Sequence, residues 1–205
     1  MSHTLGVRQA QKQKTRQAFL DAALALLEEQ SLSSLGLREV TRAVGVAPTA
    51  FYRHFPSTAD LGVALVEEAL GSLHTMIAGT VSAAGDGDER IERAVELIAR
   101  HVREYPAHIR FIARERNGGV QKVRAAIAEQ LTRFTEEVRT ALAKHPESAD
   151  WSDDDLLMLA GLYVDQMLMT ASNLLDASPE EQDQVLRVAT RRMRLIAVGR
   201  RHWLG

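Results

Sequence analysis

Residues 35–55 read Leu-Gly-Leu-Arg-Glu-Val-Thr-Arg-Ala-Val-Gly-Val-Ala-Pro-Thr-Ala-Phe-Tyr-Arg-His-Phe. Leu37 to Val44 makes two turns of helix closed by Gly45, the residue that a left-handed C-terminal cap favours because it has no Cβ to clash. Pro48 suits the first turn of a second helix, where its missing N–H costs nothing. That helix is predicted to run to Phe55 and stop there, because the residue before Pro56 is pushed away from helical angles. Two short helices joined by a three-residue turn containing glycine have the spacing of a helix-turn-helix, whose second helix enters the major groove while the first crosses the backbone. Leu37, Val40, Val44 and Val46 supply an apolar seam between the helices. Thr49, Tyr52, Arg53 and His54 leave hydroxyl, phenol, guanidinium and imidazole groups for phosphates or base edges. A helix pair with a Gly turn also occurs in all-α proteins that never meet DNA, so the neighbouring sequence has to decide.

Working outward, helical periodicity dominates and no alternating strand pattern exceeds a few residues. Phe19, Ala22, Ala23, Leu26 and Leu27 recur at helix spacing in a first helix predicted to end near Gln30-Ser31. Ser57 or Thr58 is placed to cap a helix running to about Thr80. Ser82 to Asp88 reads as a linker. Helices are then predicted from about Ile91 to Pro106, over 107–116 up to the turn Asn117-Gly118-Gly119, and from Val123 to Leu142. Ser152 with Asp155 has the spacing of a capping box that opens a very apolar helix, and Ser178-Pro179-Glu180-Glu181 opens the last one. The expected fold is all-α, with about nine helices. Residues 1–56 form a DNA-binding candidate, and residues 57–205 a ligand-binding and dimerisation candidate.

The 205-residue chain carries 25 Lys+Arg against 27 Asp+Glu, a formal charge of -2. That total hides an asymmetry: residues 1–56 hold seven basic and four acidic residues, and the remaining 149 hold 18 and 23. No acidic residue precedes Asp21, so Arg8, Lys12, Lys14 and Arg16 form a basic arm suited to an anionic partner. Alternatively, they are a solvated tail. The absence of cysteine excludes thiolate catalysis, cysteine-based metal sites and signalling by thiol oxidation. The N-terminus lacks the apolar core of a secretory signal, and Leu156–Leu175 is broken by Asp165, Gln166 and Asn173. The expectation is a cytoplasmic protein that does not enter the membrane.

From Lys14 to Leu61, the first helix, Leu37-Arg38-Glu39-Val40, Gly45-Val46 and Phe51-Tyr52-Arg53-His54-Phe55 together resemble the DNA-binding domain of TetR-family repressors. The resemblance covers about a quarter of the chain. It implies a three-helix DNA-binding unit, a fourth helix coupling it to a variable ligand-binding domain, and a homodimer on an operator. It places Arg38 at the start of the second helix as a DNA contact, and Thr49, Ala50, Tyr52, Arg53 and His54 in the recognition helix and its phosphate anchors. Pro56-Ser57-Thr58 departs from the pattern, since many relatives carry a Lys or Arg there. Gly6-Val7-Arg8, Gln11 to Arg16, Ala47-Pro48-Thr49 and Arg114-Glu115-Arg116-Asn117-Gly118 further resemble the subgroup that regulates unsaturated fatty-acid synthesis, which implies long-chain acyl-CoA as effector and no cofactor.

Leu73, Met76, Ile77, Ile98, Val102, Phe111, Ile112, Leu131, Phe134 and Met167 are candidates to line an apolar effector cavity; the same spacing also suits plain core. Arg110, Arg114 or Arg116 would meet the effector's polar head. The alternative is a structural ion network built around Arg114-Glu115-Arg116. The apolar surplus of Leu156–Leu175 needs a second burial surface, and with the last helix it predicts a dimer seam including Leu159, Tyr163, Leu168, Val188 and Ile196, with Asp165 in or beside it. His54, His74, His101, His108 and His145 do not have metal-site spacing, and Asp153-Asp154-Asp155 reads as a helix cap. No nucleophile–base arrangement or phosphate-cradling loop stands out, so no enzyme is expected. The functions that remain are a repressor of lipid-metabolism genes, a repressor of efflux or catabolic genes that senses another hydrophobic compound, and a helical lipid carrier or interaction protein that ignores DNA.

Overall fold

The computed structural model describes residues 2–81 and 87–203, leaving out the side chains of 2–6, 72, 75–81 and 201. The described residues form nine α-helices, one short 3-10 turn and no strand. In chain order the helices are α1 (Ser2–Leu26), α2 (Leu37–Val44), α3 (Pro48–Phe51), α4 (Thr58–Val81), α5 (Gly87–Glu104), α6 (Pro106–Glu115), α7 (Gln121–Leu142), α8 (Asp153–Asp176) and α9 (Pro179–Arg201). Most of the expected linker at 82–88, and the side chains of Met76 and Ile77, lie outside the described residues.

Local chemistry explains most of the boundaries. Ser57 caps α4, its hydroxyl accepting from the Asp60 N–H at 3.2 Å and donating to the Asp60 carboxylate at 2.6 Å. At α8 the expected capping box forms only in half: Asp155 N–H donates to Ser152 Oγ at 3.1 Å, but the Asp155 carboxylate, one methylene shorter than Glu, accepts from the Ser152 hydroxyl at 2.6 Å in place of the Ser152 N–H. At α9, Pro179 takes the first turn and Ser178 N–H donates to Glu181 at 2.9 Å.

Two helices end earlier than periodicity predicts. α1 stops at Leu26, and the chain tightens through bonds from Glu28 N–H to the Ala25 carbonyl and from Glu29 N–H to the Leu26 carbonyl. α3 stops at Phe51 and continues as a turn in which Arg53 and His54 donate to Ala50 and Phe51. The basic arm, in turn, is the N-terminal part of α1 rather than a separate segment.

Contacts divide the chain into two units. The first comprises residues 1–68 with 110–127, and the second residues 69–109 with 128–205. α4, α6 and α7 each contribute to both. In the first unit Phe19, Phe51 and Phe55 are buried around one another: Phe19 meets Phe51 edge-on at 5.3 Å and Phe55 at 6.3 Å, and Phe51 lies 5.6 Å from Phe55. Such pairs contribute about 0.5–1.5 kcal/mol each beyond simple burial. The second unit is held by three apolar clusters. Ile98, Val102, Ile109 and Leu174 form one with Met167; Val138, Leu142, Leu156 and Leu159 another with Tyr163 and Ile196; Ile91, Val95, Ala189 and Met193 the third.

Candidate nucleic-acid interface

The helix-turn-helix is set by backbone bonds at its turn. Glu39 reaches back to accept the Gly36 N–H at 2.9 Å, fixing the start of α2. At the other end Gly45 adopts φ 76°, and the N–H groups of Gly45 and Val46 bond the carbonyls of Arg42 and Thr41 at 3.1 and 3.0 Å. That left-handed cap is what the sequence requires of Gly45. Val40 is fully buried in the seam, while Leu37, Val44 and Val46 are half-buried.

The residues predicted to face DNA divide into exposed groups and anchors. Arg8, Lys12, Lys14, Arg38, Thr49, Tyr52 and Arg53 are exposed, Tyr52 with 60% of its surface free. Arg16, Ala50 and His54 are half-buried. Arg16 lies over the Phe55 ring at 5.1 Å, a cation–π contact that steers α1 toward the turn after α3. His54 stacks on Phe19 with centroids 5.6 Å apart, and its buried Nδ1 has no partner. Its pKa lies below the ordinary histidine value, first through burial and then through the charges of Lys12, Arg16 and Arg53. Basic groups from α1 and from the turn after α3 therefore share one neighbourhood around His54, a field that favours an approaching phosphate.

The first unit also contains a brace from α6 and the turn after it. The Arg114 guanidinium donates to the carbonyls of Leu27 and Gln30, both at 2.7 Å, and of Glu28 at 3.2 Å. These carbonyls lie in the turn just beyond the C-terminal end of α1, and a cation there also complements the helix dipole. Glu115, with 1% of its surface exposed, accepts the Leu32 N–H at 2.8 Å. Lys122 pairs with Asp60 at the start of α4, and together with Ser57 holds that carboxyl below its usual pKa. The structural reading of Arg114-Glu115 thus has direct observations behind it. The sequence signal was an Arg-Glu pair at a helix end before Asn-Gly-Gly.

The remaining residues of interest fall in both units. Leu73, Ile98, Val102 and Phe134 are buried in the second unit, and Leu131 and Met167 half-buried there; Phe111 and Arg114 belong to the first. Leu159 is buried within its own chain, and Tyr163 and Ile196 are partly buried against the same cluster. Leu168 and Val188 are half-buried. Met158 and Met169, part of the apolar surplus of α8, are exposed, as are Leu162 on α8 and Leu195 and Val198 on α9, which the sequence did not single out.

Residues 19–65 match the model of the bacterial regulatory proteins of the tetR family. Over 196 residues, 95% of this chain and 94% of its counterpart, the sequence is 33% identical to an uncharacterized HTH-type transcriptional regulator of Haemophilus influenzae. The chain belongs to the tetR family. As a tetR-family member it is a DNA-binding transcriptional regulator and not an enzyme. Among solved structures, the tetR-family fold here is similar to the fatty acid degradation regulator FadR from Bacillus halodurans, with TM-score 0.71 and 16% identity over 89% of this chain and 94% of that one. It is also similar to FadR from Bacillus subtilis in complex with stearoyl-CoA, with TM-score 0.69 and 14% identity over 88% and 96%. At these identities the likeness is one of fold. No described helix is long and apolar enough to cross a membrane.

Proposed function

We propose that the chain is a cytoplasmic repressor that binds a palindromic operator as a homodimer and is controlled by a hydrophobic effector, a long-chain acyl-CoA, acting on lipid-metabolism genes. The observation that carries the DNA reading is the set of exposed Arg38, Thr49, Tyr52 and Arg53 on and beside α2 and α3, with Lys12 and Arg16 around His54. DNA-reading residues fall within 1–56, with Arg8, Lys14 and Ala50 completing them. Effector-binding and dimerising residues fall within 57–205. Dimerisation through α8 and α9 is supported by the exposed Met158, Leu162, Met169, Leu195 and Val198, which a second copy would cover alongside Leu168 and Val188. The acyl effector is supported by the subgroup motifs and by the stearoyl-CoA in the structurally similar FadR. Its action is a population shift: a ligand in the second unit favours one disposition of α4, and the spacing of the two recognition helices follows.

The test starts from DNA enriched from a genomic library by the purified protein, with operator affinity then measured against salt and with saturated or unsaturated acyl-CoA. An inverted-repeat site should emerge. Replacing Arg8, Lys12 and Lys14 by Gln should lower the salt slope by about 0.9 for each phosphate that is no longer neutralised. An unchanged slope removes those three residues from the interface. Equal operator affinity with and without every acyl-CoA removes the lipid effector and leaves the repressor standing, with a different hydrophobic compound as its signal.

His54 gives the binding a pH dependence of defined sign. In the free protein burial, Lys12, Arg16 and Arg53 hold the ring neutral below its ordinary pKa of 6.5. A docked phosphate offsets those cations, so the pKa rises on binding and a proton is taken up. Operator affinity should therefore increase as pH falls from the His54 pKa of the DNA-bound protein toward its lower pKa in the free protein, and His54→Gln should flatten that part of the profile. A native profile identical to that of the Gln variant excludes the linkage.

A further inference from the structure

Two histidines of the second unit stand in opposite hydrogen-bonding states. His74 on α4 is fully engaged: its Nδ1 lies 2.7 Å from Glu137 Oε1, its Nε2 2.7 Å from Gln130 Oε1, and its ring stacks on Phe134 with centroids 4.1 Å apart. His101 on α5 has 2% of its surface exposed, and neither ring nitrogen has a hydrogen-bond partner. The Ala69 carbonyl on α4 is near enough to favour the protonated ring without reaching bonding geometry, and Glu104 and His108 are the charged or titratable neighbours. The ring lies 5.0 Å from that of Tyr105, and Leu97, Ile98 and Val102 are buried on the same helix.

A neutral imidazole carries one donor and one acceptor. Leaving each unmet in an interior costs about 1–3 kcal/mol. An apolar side chain at this position would avoid both costs. Burial also keeps the ring below its usual pKa, so at neutral pH it offers an N–H rather than a full charge. A buried neutral donor without a partner suits an uncharged or weakly basic oxygen brought in with apolar material. It does not suit a phosphate, which would demand a fixed cation.

We propose that His101 is the polar anchor of the effector, its ring N–H donating to the carbonyl oxygen at the head of an acyl chain that packs among the apolar residues of the second unit. This assignment rests on the acyl-effector reading above and adds the atom that recognises the ligand. The same oxygen exists in an acyl-CoA thioester and in a free fatty acid, so both are used as probes.

Full-length native protein, His101→Leu and His101→Gln are titrated with oleoyl-CoA, oleic acid and CoA alone, and the thermal midpoint of each ligand-free protein is recorded. Native protein should bind oleoyl-CoA, oleic acid or both, and whichever binds tightly identifies the source of the carbonyl. The Leu variant should bind that ligand at least about tenfold more weakly, and the Gln variant, which keeps a donor, should recover part of the loss. Without ligand, the Leu variant should melt at the native temperature or higher, because it removes an unpaired polar ring, which is the reverse of what a structural histidine gives. Unchanged affinity in the Leu variant overturns the anchor and leaves the acyl-effector reading intact. So does a midpoint several degrees below native, which makes the ring structural. Native protein that binds neither lipid overturns both.

Discussion

Gly118→Ala should destabilise the first unit by about 2–5 kcal/mol and lower its unfolding midpoint by on the order of 10 °C. A Cβ at this position would stand 2.2 Å from Glu115 Oε2 and 3.1 Å from the Glu115 Cα. Backbone cannot give way, so the carboxylate must move, and moving it breaks the bond from the Leu32 N–H inside the protein. Overpacking and a newly orphaned buried donor then add. The adjacent Gly119 is an internal control, because its added Cβ would meet Ser33 Cβ at 3.2 Å, a contact that an exposed serine relieves by a small shift. Gly119→Ala should therefore cost less than about 1 kcal/mol. Urea and thermal unfolding of the two variants decide it; a Gly118 variant as stable as the Gly119 variant means that Glu115 does not brace the unit.

Phe19→Ala should cost about 3–5 kcal/mol and abolish operator binding. Phe19 has no exposed surface and touches Phe51, His54 and Phe55, which together make up the end of α3 and the turn beyond it. A helix of four residues has no independent stability, so the conformation of α3 depends on this contact. Phe19→Leu fills much of the volume and should retain binding at a reduced midpoint. The informative measurement is operator affinity alongside helical content. Affinity within about twofold of native in the Ala variant would show that α3 is held in place by something other than Phe19.

Both predictions concern the same helix-turn-helix, and they show what short-range chemistry makes legible. The bounds of α2 follow from Gly45, whose left-handed φ only glycine adopts cheaply, and the start of α3 from Pro48. The caps at Ser57, Ser152 and Ser178 lie within three residues of their partners, so they are legible in the same way. The end of α1 is not. Periodicity runs on to residue 30, yet the helix stops at Leu26 and the carbonyls of Leu27, Glu28 and Gln30 serve Arg114, more than 80 residues away. Gly118 is a similar case: its φ lies outside the left-handed region, so its requirement is the space beside a carboxylate rather than turn geometry. On α8, composition shows an apolar surplus that includes Met158 and Met169, but only the packed structure shows that these two and Leu162 are exposed while Leu159 is buried within its own chain.

The all-α class and the helix-turn-helix can be read from residue order, because caps, turns and periodicity are settled by neighbours along the chain. Tertiary structure alone decided which polar groups find partners. Glu115 reaches Leu32 and His74 reaches Gln130 and Glu137, while His101 is left with none. Those outcomes depend on which distant segments are brought within about 3 Å of one another, a distance that residue spacing along a helix does not encode.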